Sequence, residues 1–151
     1  MRTLLGMVAS AALFCATSAH AADAIDAVIY TKRGEVPLKL ELAVTPETRI
    51  QGLMNRDSLA PYDGMLFIFP TAHDYSFWMK DTRIPLDMLF INDQHTIVHV
   101  ETDVAPYTKA ERAAGQEIVA VIELDGGRAA RESILKGDRV RYDLPSSLQV
   151  R

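Results

Sequence analysis

The feature that most limits the fold is a series of short apolar runs through the middle of the chain, over residues 65–69, 75–79, 86–91 and 96–102. Gly, Pro, Asn or Asp residues bound these runs. Continuous apolar runs of this length are typical of strands buried on both faces of a sheet. The middle of the chain therefore predicts a β-rich core.

The sequences on either side of this core add more strands. Residues 27–30 and 36–42 flank Lys32-Arg33-Gly34, a pattern that predicts a hairpin. Residues 117–124 predict another buried strand, and the alternating residues 139–144 predict a last, half-exposed one.

One helix is predicted after the hairpin. Thr45-Pro46-Glu47 is typical of a helix start, with Thr as N-cap and Pro in the first helical position. We expect this helix to run to about Met54 and to bury Ile50, Leu53 and Met54. Gly52 within it is unfavourable for a helix by about 1 kcal/mol relative to Ala, which indicates either a helix of different length or close packing at that point.

A second short helix is predicted over residues 128–136, between the Gly126-Gly127 turn and Gly137. About seven strands and two short helices predict an α+β domain that is mostly β. We expect it to be compact and either closed or sandwich-like.

The N-terminus has the pattern of a cleavable signal peptide over residues 1–21. A basic residue precedes the uncharged apolar run 4–16, and Ala19-His20-Ala21 has the form that signal peptidase accepts. The run is too short for a membrane-spanning helix. We expect cleavage before Ala22, no stable membrane anchor, and a periplasmic or secreted single domain over residues 22–151.

The one cysteine of the chain, Cys15, lies in this predicted signal peptide. The mature domain would then have no disulfide, no thiolate nucleophile and no Cys-based zinc site. The bulky Phe14 before the cysteine argues against lipidation.

The charge of the chain argues against a nucleic-acid partner. Without Arg2, 15 basic side chains face 20 acidic ones, a net charge of −5, and no Lys/Arg-rich run is present. Nucleic acids and anionic membranes bind basic surfaces. A small ligand or a protein remains as the expected partner.

Three sequence blocks carry a family resemblance. They are Gly52-Leu53-Met54-Asn55-Arg56, Gly64-Met65-Leu66-Phe67-Ile68-Phe69, and Phe77-Trp78-Met79-Lys80-Asp81-Thr82-Arg83-Ile84-Pro85-Leu86-Asp87. In this order and spacing they resemble the family called domain of unknown function 192, from about Ala27 to Tyr142. The resemblance implies a compact, mostly β, often exported protein without an agreed activity. The family usually has Asn where this chain has Asp81, and an Asn-Ala-Gly-like turn where it has Asp125-Gly126-Gly127.

Asp87 is the carboxylate that the sequence singles out, because apolar residues surround it on both sides. A buried carboxylate is unfavourable unless it is hydrogen-bonded or paired, and Arg56 and Arg83 are candidate partners. In a structural role, Asp87 would satisfy buried backbone amides. In a functional role, it would lie at the floor of an apolar pocket near Trp78 and bind a ligand or act as a general base.

The leading hypothesis is a non-enzymatic binding or accessory module, with a modest pocket around Arg56, Trp78, Thr82 and Asp87. The alternative is a small hydrolase or lyase that uses Asp87 with Asp81 or Arg56. No Gly-x-Ser-x-Gly elbow or other recognisable nucleophile motif is present, so the sequence favours binding over catalysis.

A periplasmic copper carrier is a further alternative, because thioether and imidazole ligands suit Cu(I). The residues concerned are Met54, Met65, Met79, Met88, His73, His95 and His99. They form no Met-x-x-Met or His-x-Met cluster, and each methionine lies in an apolar run. Core packing is the better explanation, and we expect neither a bound metal nor a cofactor.

Overall fold

The computed structural model describes residues 24–146 and 148–151, so the predicted signal peptide and Cys15 lie outside the described residues. In chain order the elements are β1 (Ala24–Thr31), β2 (Gly34–Ala43), α1 (Pro46–Gln51), β3 (Gly64–His73), β4 (Leu86–Ile91), β5 (Ile97–Val104), β6 (Ile118–Asp125), α2 (Arg128–Glu132) and β7 (Arg139–Tyr142). The prediction of a mostly β, α+β fold is confirmed.

The seven strands form one sheet in the order β5-β4-β6-β3-β2-β1-β7, and only the β2–β3 pair is parallel. The sheet curls into a half-barrel. Its two edge strands meet at one end, where Thr96 bridges to Arg139 and the Ile97 N–H donates to the Asp138 carbonyl at 2.9 Å. These bonds satisfy backbone groups that a free sheet edge would leave unpaired.

Alternation along the central strands divides the buried side chains between the two faces of the sheet. One apolar cluster includes Leu66 and Ile122, and the other includes Met65 and Val121. The second face is covered by α1 and by residues 74–85, the segment that joins β3 to β4. This covered face positions the candidate site.

The prediction of a strand over residues 75–79 is wrong. Only Phe77 is bridged there, to Arg112, through two backbone hydrogen bonds of 2.8 and 2.9 Å. The side chains of Tyr75, Phe77 and Met79 pack onto the face of the sheet, and Met79 is fully buried, whereas Trp78 stays 49% exposed. Short apolar runs do not distinguish these two ways of burial.

The start of α1 is confirmed, and its predicted end is wrong. Thr45 and Thr48 form a capping box, in which each backbone N–H donates to the other side chain. The helix ends before Gly52, which has a positive φ of 43°. Ile50 is 72% exposed instead of buried, whereas Leu53 is buried as predicted. The expected close packing is present, since a Cβ on Gly52 would lie 3.3 Å from the Phe67 ring.

The second helix is also shorter than predicted, because Ser133 ends it in the left-handed conformation. Within residues 24–146 and 148–151, no helix is long and apolar enough to cross a membrane.

Candidate functional site

A cavity of about 340 Å³ opens on the covered face of the sheet, between α1 and the segment that follows β3. Five aromatic side chains line it, namely Phe67, Phe69, Tyr75, Phe77 and Trp78. Phe67 and Phe77 pack edge to face with ring centroids 5.2 Å apart, and Phe69 stacks on Tyr75 at 3.7 Å. Contacts of this kind fix the ring orientations, so the aromatic wall is largely preformed.

Arg49 of α1 also lines the cavity, and it donates hydrogen bonds to carbonyls of two residues that do not line it. Its guanidinium donates to the Ile68 carbonyl at 2.8 Å and to the carbonyl of Arg151. It also lies 5.4 Å from the centroid of the Phe69 ring. Burial lowers the pKa of Arg49. Backbone carbonyls and an aromatic ring thus hold this cation in place.

Glu123 of β6 lies at the base of the cavity, and it is only 4% exposed. In the described part of the chain, no residue forms a hydrogen bond or an ion pair with its carboxyl group. Because no fully buried side-chain oxygen of these residues lacks a hydrogen-bond partner, the oxygens of Glu123 are open to the cavity space. Burial raises the pKa of this carboxyl to about 8, so it is mostly protonated at neutral pH. The cavity therefore combines an apolar wall with one uncommitted carboxyl group, a combination suited to binding a small ligand.

The neighbouring strands hold Glu123 in position. It is paired with Met65 on β3 and with Met88 on β4, so both flanking residues are apolar and buried. Gly64 brings the β3 backbone close to β6, because a Cβ there would lie 2.0 Å from the Glu123 carbonyl oxygen. Any larger residue at position 64 would displace the strand that carries the carboxyl group.

Two of the four sequence-predicted site residues line this cavity. Trp78 is 49% exposed on its open side. Thr82 is buried, and its hydroxyl donates to the Lys80 carbonyl at 3.3 Å. The structure thus brings Trp78 and Thr82 together with Glu123.

Asp87 does not line the cavity. It is fully buried, and its Oδ1 accepts the N–H groups of Asp103 at 2.7 Å and Gly127 at 2.9 Å. Its Oδ2 accepts the N–H of Ala129 at 2.6 Å. Asp87 also points to the sheet face opposite Met88 and the cavity, because successive side chains of a strand alternate. Its carboxylate joins β4, β5 and the start of α2.

Arg56 lies outside the cavity as well. It makes two hydrogen bonds to Glu41, of 2.5 and 2.7 Å, and these raise the pKa of Arg56. Arg83 pairs with the exposed Asp57 at 3.0 Å. The structure therefore does not assemble Arg56, Trp78, Thr82 and Asp87 into one pocket.

Glu123 is the site residue that sequence reasoning missed. The signal was present, because Glu123 is a lone carboxyl within the apolar residues 118–124, as Asp87 is within its own strand. A single carboxyl residue within an apolar strand marks both positions equally. The two residues differ in their hydrogen-bond partners, which the sequence alone does not reveal.

The methionines do not converge at the surface. Met65, Met79 and Met88 lie in the buried cluster on the covered face. His95 stacks on Tyr142, with ring centroids 4.7 Å apart. Across residues 24–146 and 148–151, no three His, Cys, Asp or Glu side chains are grouped to hold a metal ion. This geometry gives no support to a copper carrier.

The fold and the site together define a small half-barrel domain with an apolar cavity on one sheet face. The chain belongs to the family of domain of unknown function 192, described as an uncharacterised ACR, which matches residues 28–142. The resemblance noted in the sequence is thereby confirmed.

Two solved structures are similar to this chain. A Sinorhizobium meliloti 1021 protein, provisionally described as a transcription regulator, is 36% identical, with a TM-score of 0.77 over 80% of this chain and 95% of that one. A Novosphingobium aromaticivorans DSM 12444 protein of unknown function is 30% identical, with a TM-score of 0.78 over 82% and 89%. No curated protein matches the chain.

Proposed function

We propose that this protein is an exported, non-enzymatic binding module that holds a small, mainly apolar ligand in the cavity between α1 and residues 74–85. The observation that carries the proposal is the unpartnered carboxyl of Glu123 at the base of a wall of five aromatic rings, within the part of the chain that the structure describes. Apolar cavities with one or two placed polar groups are the usual form of small-molecule sites.

Binding is favoured over catalysis because the residues of the enzymatic alternative are committed elsewhere. Both oxygens of Asp87 accept backbone N–H groups. Arg56 is paired with Glu41. A general base needs a free oxygen within reach of a substrate proton, and Asp87 has neither the freedom nor the position.

Export is supported by the signal-peptide pattern of residues 1–21. We do not propose a role in transcription for this chain, although the Sinorhizobium relative is described as a regulator. A net charge of −5 over residues 22–151, without a basic run, is unfavourable for DNA binding.

Native mass spectrometry of the protein isolated from the exported fraction tests both parts of the proposal. We expect an unlipidated chain that begins at Ala22, and a small-molecule adduct that butylbenzene replaces. Ser76→Phe adds a ring to the cavity wall and should weaken the adduct, whereas Ser58→Phe, outside the cavity, serves as the matched control.

An uncleaved chain retained in the cytoplasm, or a diacylglycerol on Cys15, would show that the export proposal is wrong. A ligand-free chain that does not bind butylbenzene, or equal binding by both serine variants, would refute the cavity as the binding site.

A further inference from the structure

Three glutamates lie in one row across the sheet, on the face that carries the cavity. The strand register places each residue directly opposite the next, in the order Glu41, Met65, Glu123, Met88 and Glu101. Directly opposed residues of neighbouring strands point to the same face. The row therefore alternates carboxyl groups with thioethers, and Glu123 is its centre.

The two outer glutamates have basic partners, and the central one has none among the described residues. Arg56 lies 2.5 Å from Glu41, whereas Glu101 is hydrogen-bonded to the Nε2 of His99 at 2.8 Å and lies 3.9 Å from the Nε of Arg112. Glu123 is the most buried of the three. It lines the cavity, and no fully buried side-chain oxygen of the described residues lacks a hydrogen-bond partner, so its unpaired oxygens are open to the cavity space. A cationic partner for Glu123 would therefore come from the cavity.

The aromatic wall is already a surface on which cations lie. The guanidinium of Arg49 lies over Phe69, and the Nζ of Lys80 lies 5.9 Å from the centroid of the Trp78 ring. Ring faces attract cations, most strongly where water is excluded. Arg49 directs its hydrogen bonds to backbone carbonyls, so neither cation pairs with Glu123.

Given the proposed function, we infer that the cavity selects an organic ammonium ion, an amine carried on an apolar body. The ammonium group pairs with the Glu123 carboxylate at the base, and the body packs against the aromatic wall. The charge of the ligand supplies the partner that Glu41 and Glu101 obtain from basic side chains.

Binding of such a ligand is coupled to the loss of one proton. Free Glu123 is protonated at neutral pH, and the Glu123 O–H bond breaks as the ammonium ion enters, with the proton released to solvent. The other ionisable groups of this region are Arg49 from α1, Tyr75 and Lys80 from the covering segment, Glu41 and Glu101 along the row, and His99, which is hydrogen-bonded to Glu101. Histidine is the one residue type among them with an ordinary pKa between about 6 and 8. Its contribution is common to wild type and Glu123→Gln, so a comparison of the two proteins isolates the titration of Glu123. Affinity for the amine should therefore rise about tenfold per pH unit from about pH 6 to about pH 8.

Three probes with one apolar body test the inference by calorimetry on the mature chain. They are 4-phenylbutylamine, 4-phenylbutanamide and butylbenzene. We expect the amine to bind at least about tenfold more tightly than the amide near pH 8, a free-energy difference of about 1.4 kcal/mol. Glu123→Gln should abolish this preference, because Gln keeps the shape and hydrogen-bonding capacity of the protonated acid without its charge.

Asp125→Asn is the matched control, since it removes one exposed charge two residues further along β6. It should leave the preference for the amine intact. If the amide binds as tightly as the amine, or if Glu123→Gln keeps the preference, the ammonium inference is wrong while the binding function stands. If no probe binds, the proposed function fails too.

Discussion

Asp87 and Glu123 are two buried carboxyl groups on adjacent strands. Within the part of the chain that the structure describes, Asp87 is fully hydrogen-bonded, and Glu123 is not. Asp87 accepts three backbone N–H groups. Glu123 has no partner among the described residues, and burial raises its pKa to about 8. The first arrangement joins three segments of the fold, and the second leaves a carboxyl group available to a ligand.

The raised pKa of Glu123 predicts a pH-dependent stability. The folded chain binds the proton more tightly than the unfolded chain, in which the glutamate has its ordinary pKa of 4.5. The stabilisation is therefore complete below about pH 4.5 and is lost as the pH rises to about 8, by at most about 1.4 kcal/mol per pH unit. Urea unfolding of wild type and Glu123→Gln between these pH values isolates the effect.

Gln at position 123 does not titrate. As the pH rises, the wild type should therefore lose unfolding free energy relative to Glu123→Gln. Asp125→Asn removes an exposed charge, so its unfolding free energy should change with pH as that of the wild type does. A difference between wild type and Glu123→Gln that stays constant with pH would contradict a buried, unpartnered Glu123.

For Asp87 the expected effect is a large loss of stability. Asp87→Ala leaves three N–H donors unpaired, that of Ala129 buried and those of Asp103 and Gly127 partly buried. The buried donor alone costs about 1 to 3 kcal/mol, and the other two add less. Asp87→Asn keeps one acceptor oxygen and should be milder. Urea melts of both variants, with the exposed Asp125→Ala as control, measure this. If Asp87→Ala is as stable as wild type, Asp87 does not hold these segments together.

At the scale of elements, the sequence predicted the start of α1 but not its end. The Thr45-Pro46 start depends on local hydrogen bonds, which sequence patterns report well. The end of α1 depends on the packing of Gly52 against Phe67, a residue of β3 that is distant in sequence. The same limit explains residues 75–79, which have strand-like composition but lie over a sheet built from other segments, with Met79 buried and Trp78 exposed.

The cavity is a consequence of these two elements. Because α1 stops early and residues 75–79 stay outside the sheet, a space remains between them over the Glu123 side chain. Trp78 and Thr82 lie in the same short sequence block, and both line the cavity. Arg56 lies outside it, because it pairs with Glu41, 15 residues earlier, and the sequence pattern does not specify this contact.

At the scale of the whole molecule, hydrophobic patterning predicted the mostly β fold and most of its strands. The alternation of apolar and polar residues and the length of apolar runs are local properties of the sequence, and they mark the central strands. The strand order and the contact between β5 and β7 depend on distant residues such as Thr96 and Arg139. Those features emerge only when the whole sheet is assembled.

The central claim is that the cavity over Glu123 binds a small ligand with an apolar body. A crystal structure of the mature chain with 4-phenylbutylamine tests it most directly. We predict the phenyl ring against the aromatic wall, near Phe77 and Trp78, and the amine nitrogen about 2.8 Å from a carboxyl oxygen of Glu123. An empty cavity with the amine bound elsewhere would contradict the claim.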